Sequence, residues 1–172
     1  DPDEYYRKCL ENYSEEGFTR ILTEYENTYA EELTRVINVL SAALNTFAAE
    51  GLKKSEDYVK SLIADATAAK DGGVYAVKGL EEYNSVLSFE RGLKGNALAA
   101  KEKAVACRDE LKSIFKRYAR HVSDKNEDLK RFYSAKETSL AMIDLLKNVG
   151  KRYAAAKRDE NLLDFSDLEH FV

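Results

Sequence analysis

The sequence predicts an all-α fold, an antiparallel multi-helix bundle with two or three long helices, on three observations. Its 172 residues include 8 Gly and a single Pro, Pro2, far short of the turn residues that an all-β chain needs between its strands. Apolar residues recur at spacings of three and four, and no stretch alternates with period two. Charged residues make up 34% and hydrophobic residues 44%, a balance of exposed helical faces around a core. The length suits one domain, or two small ones at most.

The elements follow in order. Asp1-Pro2 is a capping residue followed by proline at a first helical position, and Tyr6, Cys9, Leu10 and Tyr13 share one side, with Gly17 placed to end the helix. Leu22, Tyr25, Tyr29, Leu33, Val36, Leu40, Ala43 and Phe47 then define an amphipathic helix of roughly 30 residues, closed by Gly51. Ser55 is a cap for a third helix with Val59, Leu62, Ile63, Ala66 and Ala69 on its apolar face, ended by Gly72-Gly73. Val74–Phe89 reads as a shorter helix interrupted at Gly79, and Gly92 and Gly95 bracket a loop.

A second long helix runs from Asn96 to about His121, burying Val105, Cys107, Leu111, Ile114 and Tyr118. Ser123–Glu127 is a break. Ser134 and Glu137 match a capping box, and the helix they open is expected to bury Met142, Leu145, Leu146, Val149 and Tyr153. A final element starts near Asp164, with Phe165, Leu168 and Phe171 facing inward.

Several function classes find no support in the residues. The 2 Cys, Cys9 and Cys107, are too few for a disulfide scaffold and wrongly spaced for zinc. His121 and His170 lie far apart. No apolar run approaches the roughly 20 residues of a membrane-spanning helix, so the expectation is a soluble, cytoplasmic protein with no membrane partner. There is no phosphate-cradling loop, no His-Glu-x-x-His and no nucleophile elbow. The acidic pairs Glu31–Glu32 and Asp109–Glu110 are expected on solvated faces, because adjacent helical residues do not face each other. No catalytic residue and no metal ligand is expected.

Charge is distributed unevenly. The net charge is −4, yet the first 50 residues hold 4 basic and 11 acidic residues, whereas 94–158 hold 17 basic and 8 acidic. On the 96–121 helix, Lys101, Arg108, Lys112, Lys116 and Arg120 fall within an arc of roughly 120° opposite the apolar face. Lys147, Lys151 and Arg158 line one side of the last long helix, with Arg152 and Lys157 nearby. Rows of this kind suit phosphate contact, and an ordinary solvent-facing helix surface is the plainer reading. Tyr25, Tyr29, Tyr118 and Tyr153 sit at core spacing.

The stretch from Lys151 to Phe171 resembles a signature of UvrD/Rep-like superfamily 1 helicases. There a long helix ends in Tyr-x-x-x-Lys, here Tyr153 and Lys157, and leads into Leu-Asp-Phe-x-Asp-Leu, here Leu163, Asp164, Phe165, Ser166, Asp167 and Leu168. With the trailing Glu169-His170-Phe171, it looks most like the AddA-type subunit of bacterial ATP-dependent helicase–nucleases. The terminal block of about 20 residues carries the likeness, and the preceding 150 match mainly in helix order.

The resemblance implies that 1–160 form a helical 1B-type subdomain and that 161–172 begin the truncated re-entry helix into the first motor domain, 1A. It implies structural roles for the signature residues. It also implies ATP and Mg²⁺ in the parent enzyme but no cofactor in this fragment, which lacks the ATP-binding motifs. Implied partners are double-stranded DNA, the remaining motor domains and a second nuclease/helicase subunit, in the bacterial cytoplasm. The expected function is a DNA-engaging accessory subdomain in double-strand-break repair and recombination, not catalytic alone. Candidate phosphate contacts are Lys112, Lys116, Arg120, Lys151 and Arg158. The rival reading is a helical protein–protein interaction module docking a partner subunit; a free-standing coiled-coil adaptor is a third.

Overall fold

A computed structural model describes residues 2–160. The described elements are α-helices and one 3-10 turn: α1 (Pro2–Glu11), α2 (Glu15–Ala49), α3 (Lys53–Asp71), α4 (Gly73–Ala76), the 3-10 turn Val77–Leu80, α5 (Gly95–His121) and α6 (Lys125–Asp159). The all-α expectation holds, with three long helices of 35, 27 and 35 residues. The expectations for Asp1, for the Cys9 side chain and for the element from Asp164 lie outside the described residues. The chain divides into two compact units: Thr19–Leu129, and the flanks up to Phe18 and from Lys130.

In the Thr19–Leu129 unit, three helices present apolar residues at alternating spacings of three and four. Tyr29, Leu33, Val36, Leu40, Ala43 and Phe47 of α2 are all buried. They meet Val59, Leu62, Ala66 and Ala69 of α3 and Ala104, Cys107, Leu111, Ile114 and Tyr118 of α5 in one core. Each large side chain taken from water contributes about 1.5–3 kcal/mol. Val105, expected inside, is only half-buried; Phe115 occupies the core instead.

The helix directions follow from specific contacts. Arg117 pairs with Glu32 and Arg35 with Glu110, so residue numbers fall along α5 as they rise along α2. The two helices are antiparallel. Gly51, at φ 69°, makes the tight turn into α3, which also runs antiparallel to α2: the Tyr29 hydroxyl donates to the Ala69 carbonyl at 3.3 Å. Consequently α3 and α5 are parallel, and the chain between them must return along the length of α3.

That return corrects the expected helix at Val74–Phe89. Only the stretch through Leu80 is helical, as α4 and the 3-10 turn. Tyr83 bonds Asp65 near the end of α3 at 2.8 Å, and Glu90 bonds the amides of Lys54 and Ser55 at its start. Those α3 sites lie eleven residues apart, about 16 Å along a helix. Seven residues, from 83 to 90, reach only about 10 Å as a helix but up to about 23 Å extended. Topology therefore overrides local preference, and 81–94 form a strap.

The strap also supplies the cap expected locally from Ser55. Ser55 lies inside α3, fully buried. The Glu90 carboxylate accepts from the Lys54 amide at 2.6 Å, from the Ser55 amide at 3.0 Å and from the Ser55 hydroxyl, whose oxygen accepts from the Glu90 amide at 3.4 Å. This is a capping box made by residues 35 apart in sequence.

In the unit of the two flanks, α1 and the turn after it pack on α6, with the Tyr6 ring of α1 beside the Lys147 ammonium and residues of the turn and the start of α2 around Phe132. The Phe132 ring lies 5.1 Å from that of Tyr13 and 5.4 Å from that of Phe18, between ring centres. The Tyr13 hydroxyl bonds Ser139 at 2.8 Å. Gly17 does not end α1; it lies in the first turn of α2, where its amide donates to Ser14 Oγ at 3.1 Å. A Cβ there would collide with the Asn12 carbonyl, so glycine permits the close α1–α2 turn.

The Ser134–Glu137 capping box is also corrected, for α6 runs unbroken through it. The cap is Asp124, whose Oδ1 accepts from the amides of Asn126 at 2.8 Å and Glu127 at 3.0 Å. Nor does α6 bury its expected apolar face. Met142, Leu145, Leu146, Val149 and Tyr153 are each between 53% and 62% exposed. The side of α6 turned to α1 and to the turn after it carries Phe132, Ser139, Ile143 and Lys147 instead.

Candidate functional site

The basic face of α5 carries the first candidates, and the strap lies along much of it. The Lys101 ammonium sits 5.7 Å from the centre of the Phe89 ring, itself packed edge-on to Tyr58. The Arg108 side chain is 16% exposed and pairs with Asp109 at 2.7 Å. It reaches the Ser85 carbonyl at 3.5 Å, and its buried Nε has no partner among the described residues. Lys112 donates to Asn84 Oδ1 at 2.8 Å. Three of the five cations in this row thus hold the strap, whereas Lys116 and Arg120, beyond its reach, stay exposed.

The second row lies on α6. Lys151 and Arg158 are exposed, seven residues and two turns apart, and Arg158 Nε bonds the Ala154 carbonyl at 3.2 Å. Lys147, one turn earlier, places its ammonium 5.7 Å from the Tyr6 ring centre. Of the signature residues, Tyr153 and Lys157 lie together, the Lys157 ammonium 5.3 Å from the Tyr153 ring centre. Leu163, Asp164, Phe165, Asp167 and Leu168 lie outside the described residues. The two rows belong to different units, and each is a surface of its own helix.

In each acidic pair one member, Glu31 or Asp109, is exposed as expected, and the other departs from the solvated face. Glu32 and Glu110, half-buried, are the carboxylates that tie α2 to α5 through Arg117 and Arg35. The sequence signal for this lay in opposite charges on two antiparallel helices, invisible until their pairing is known.

Tyrosines of the core are held neutral. Burial, with a smaller contribution from Tyr118, pushes Tyr29 up to about 12. Tyr75 is likewise pushed up to about 12, by burial and by nearby Asp128. Burial also raises the Cys107 thiol, helped by Glu110 and opposed by Arg35, which disfavours the reactive thiolate. Among the described residues, no three His, Cys, Asp or Glu side chains converge as a metal site, and no helix is long and apolar enough to cross a membrane.

No protein-family model, no curated protein and no solved structure matches the chain.

Proposed function

We propose that this chain is the DNA-engaging 1B-type subdomain of an AddA-like, ATP-dependent helicase–nuclease acting in double-strand-break repair and recombination. In this reading it positions duplex DNA and performs no catalysis alone. ATP and Mg²⁺ belong to the remaining motor domains, with no residue of this chain assigned to either, and a second nuclease/helicase subunit completes the enzyme.

The observation that carries the reading is the pattern of cations left exposed by the fold. Lys116 and Arg120 stand one turn apart on α5, and Lys151 and Arg158 two turns apart on α6. Side chains so placed present charge at intervals along a helix, the arrangement that phosphate contact needs. The terminal resemblance, through Tyr153, Lys157 and Leu163–Leu168, supplies the family.

Anisotropy titration of a labelled duplex at about 20–50 mM salt tests it. The unmodified chain binds, and K116E/R120E and K151E/R158E each bind more weakly. K112E, whose native ammonium is held by Asn84, has the smaller effect. No binding at low salt, or unchanged affinity in both double variants, contradicts the reading.

A further inference from the structure

The strap takes cations out of the α5 row, and its own hold on the molecule is uneven along its length. Both ends are firmly anchored. At one end the Tyr83 hydroxyl donates to Asp65 at 2.8 Å, and its ring lies edge-on to Phe115, 5.0 Å between centres. At the other, the Phe89 ring lies 5.0 Å from Tyr58 and 6.0 Å from Phe47, and Glu90 caps α3. Lys101, against Phe89, belongs to that anchored end.

The five residues between, Asn84 to Ser88, are held by little. No amide of 84–88 makes a backbone hydrogen bond among the described residues. Val86 is 81% exposed and Leu87 44%, so lifting this stretch uncovers little apolar surface, the mark of a segment that opens locally. Asn84 Oδ1 accepts from Lys112 at 2.8 Å. Ser85 is tied more loosely: its hydroxyl donates to the Tyr58 hydroxyl at 3.4 Å, and its carbonyl accepts from Arg108 at 3.5 Å, long for a hydrogen bond. The oxygens that Lys112 and Arg108 find on the strap are thus uncharged. A phosphate oxygen is anionic and takes a charge-assisted bond roughly twice as strong. The buried Arg108 Nε, which has no partner among the described residues, still has a proton to donate.

We infer that Asn84–Ser88 is an autoinhibitory cover on the phosphate-binding face of α5. Closed, it withholds Arg108 and Lys112; lifted, it extends the displayed pair Lys116 and Arg120 to four cations. These stand at every fourth residue, about 6 Å and 40° apart, over about 18 Å of helix. Asp109 stays beside Arg108, so Lys112 is the larger gain. The inference rests on the DNA reading of Lys116 and Arg120 and adds a regulation to that site.

The test compares duplex affinity and its salt dependence for the full chain with the cover closed and loosened. N84A removes the acceptor of Lys112, and V86G/L87G loosens the backbone at two exposed positions while touching neither anchor. Each is expected to keep the native helical circular dichroism and to bind duplex at least threefold more tightly than the native chain at about 50 mM salt. Each also steepens the slope of log affinity against log salt by about 0.9, one further phosphate. K112E separates release of this cation from general loosening: it costs at least threefold more affinity in V86G/L87G than in the native chain.

A native chain that binds, with N84A and V86G/L87G equal to it or weaker, overturns the cover and leaves the DNA reading standing. An equal cost of K112E in the native and loosened chains does the same, because Lys112 is then available already. Binding by the loosened chains alone supports the cover and contradicts the displayed cations as a sufficient site. No binding by any of them overturns both.

Discussion

Glu90 closes the N-terminus of α3 from 35 residues away, and its ionisation reports on the strap. Burial pushes its carboxyl up, but the hydrogen bonds from Ser55, from its own amide and from the amides of Lys54 and Ser55 outweigh this and leave it below the ordinary carboxylate value. A depressed folded value means that the stabilisation is complete above the unfolded carboxylate range and is lost as pH falls through the folded value. Glu90→Gln is therefore expected to lower stability by about 1–2 kcal/mol at neutral pH, with the gap from the native chain closing in acid; urea melts across pH measure both. Gly17→Ala places a methyl on the Asn12 carbonyl and is expected to cost about 1–3 kcal/mol. In a Cys9→Ser background, Cys107 is expected to react with a thiol reagent only on unfolding, since its thiol is buried and raised.

At the scale of elements, legibility in the sequence tracked how far each helix depends on local pattern. The seams of α2, α3 and α5 were readable because one apolar face meets one core, so spacing alone identifies Leu33, Leu40, Leu62 and Leu111. The strap was not, because its extended form is imposed by the parallel arrangement of α3 and α5. On α6 the spacing of Met142, Leu145, Leu146 and Val149 was read correctly as amphipathic and wrongly as buried. Periodicity identifies an apolar face without saying what covers it. A pair of substitutions separates the two cases: Leu40→Ala, at a fully buried site, is expected to cost about 2–5 kcal/mol. Leu146→Ala, 53% exposed, is expected to cost less than about 1 kcal/mol. Chemical denaturation of both variants measures the difference.

Across the whole molecule, the sequence located the basic rows but could not divide their members between internal work and display. Lys101, Arg108 and Lys112 read as one row with Lys116 and Arg120 because helical angle is all that sequence offers. Asn84, Ser85 and Phe89, which take up the first three, come from a segment whose path was not foreseeable. The signature residues from Leu163 onward contribute through resemblance alone, so the DNA reading stands on the four displayed cations. The most direct measurement is the slope of log affinity for duplex DNA against log salt concentration. Each neutralised phosphate contributes about 0.9 to that slope. The slope is expected to fall in magnitude by about 2 in K116E/R120E, by a similar amount in K151E/R158E, and to stay near the native value in L146S/V149S. A native slope near zero, or one that neither charge-reversed variant changes, contradicts the account.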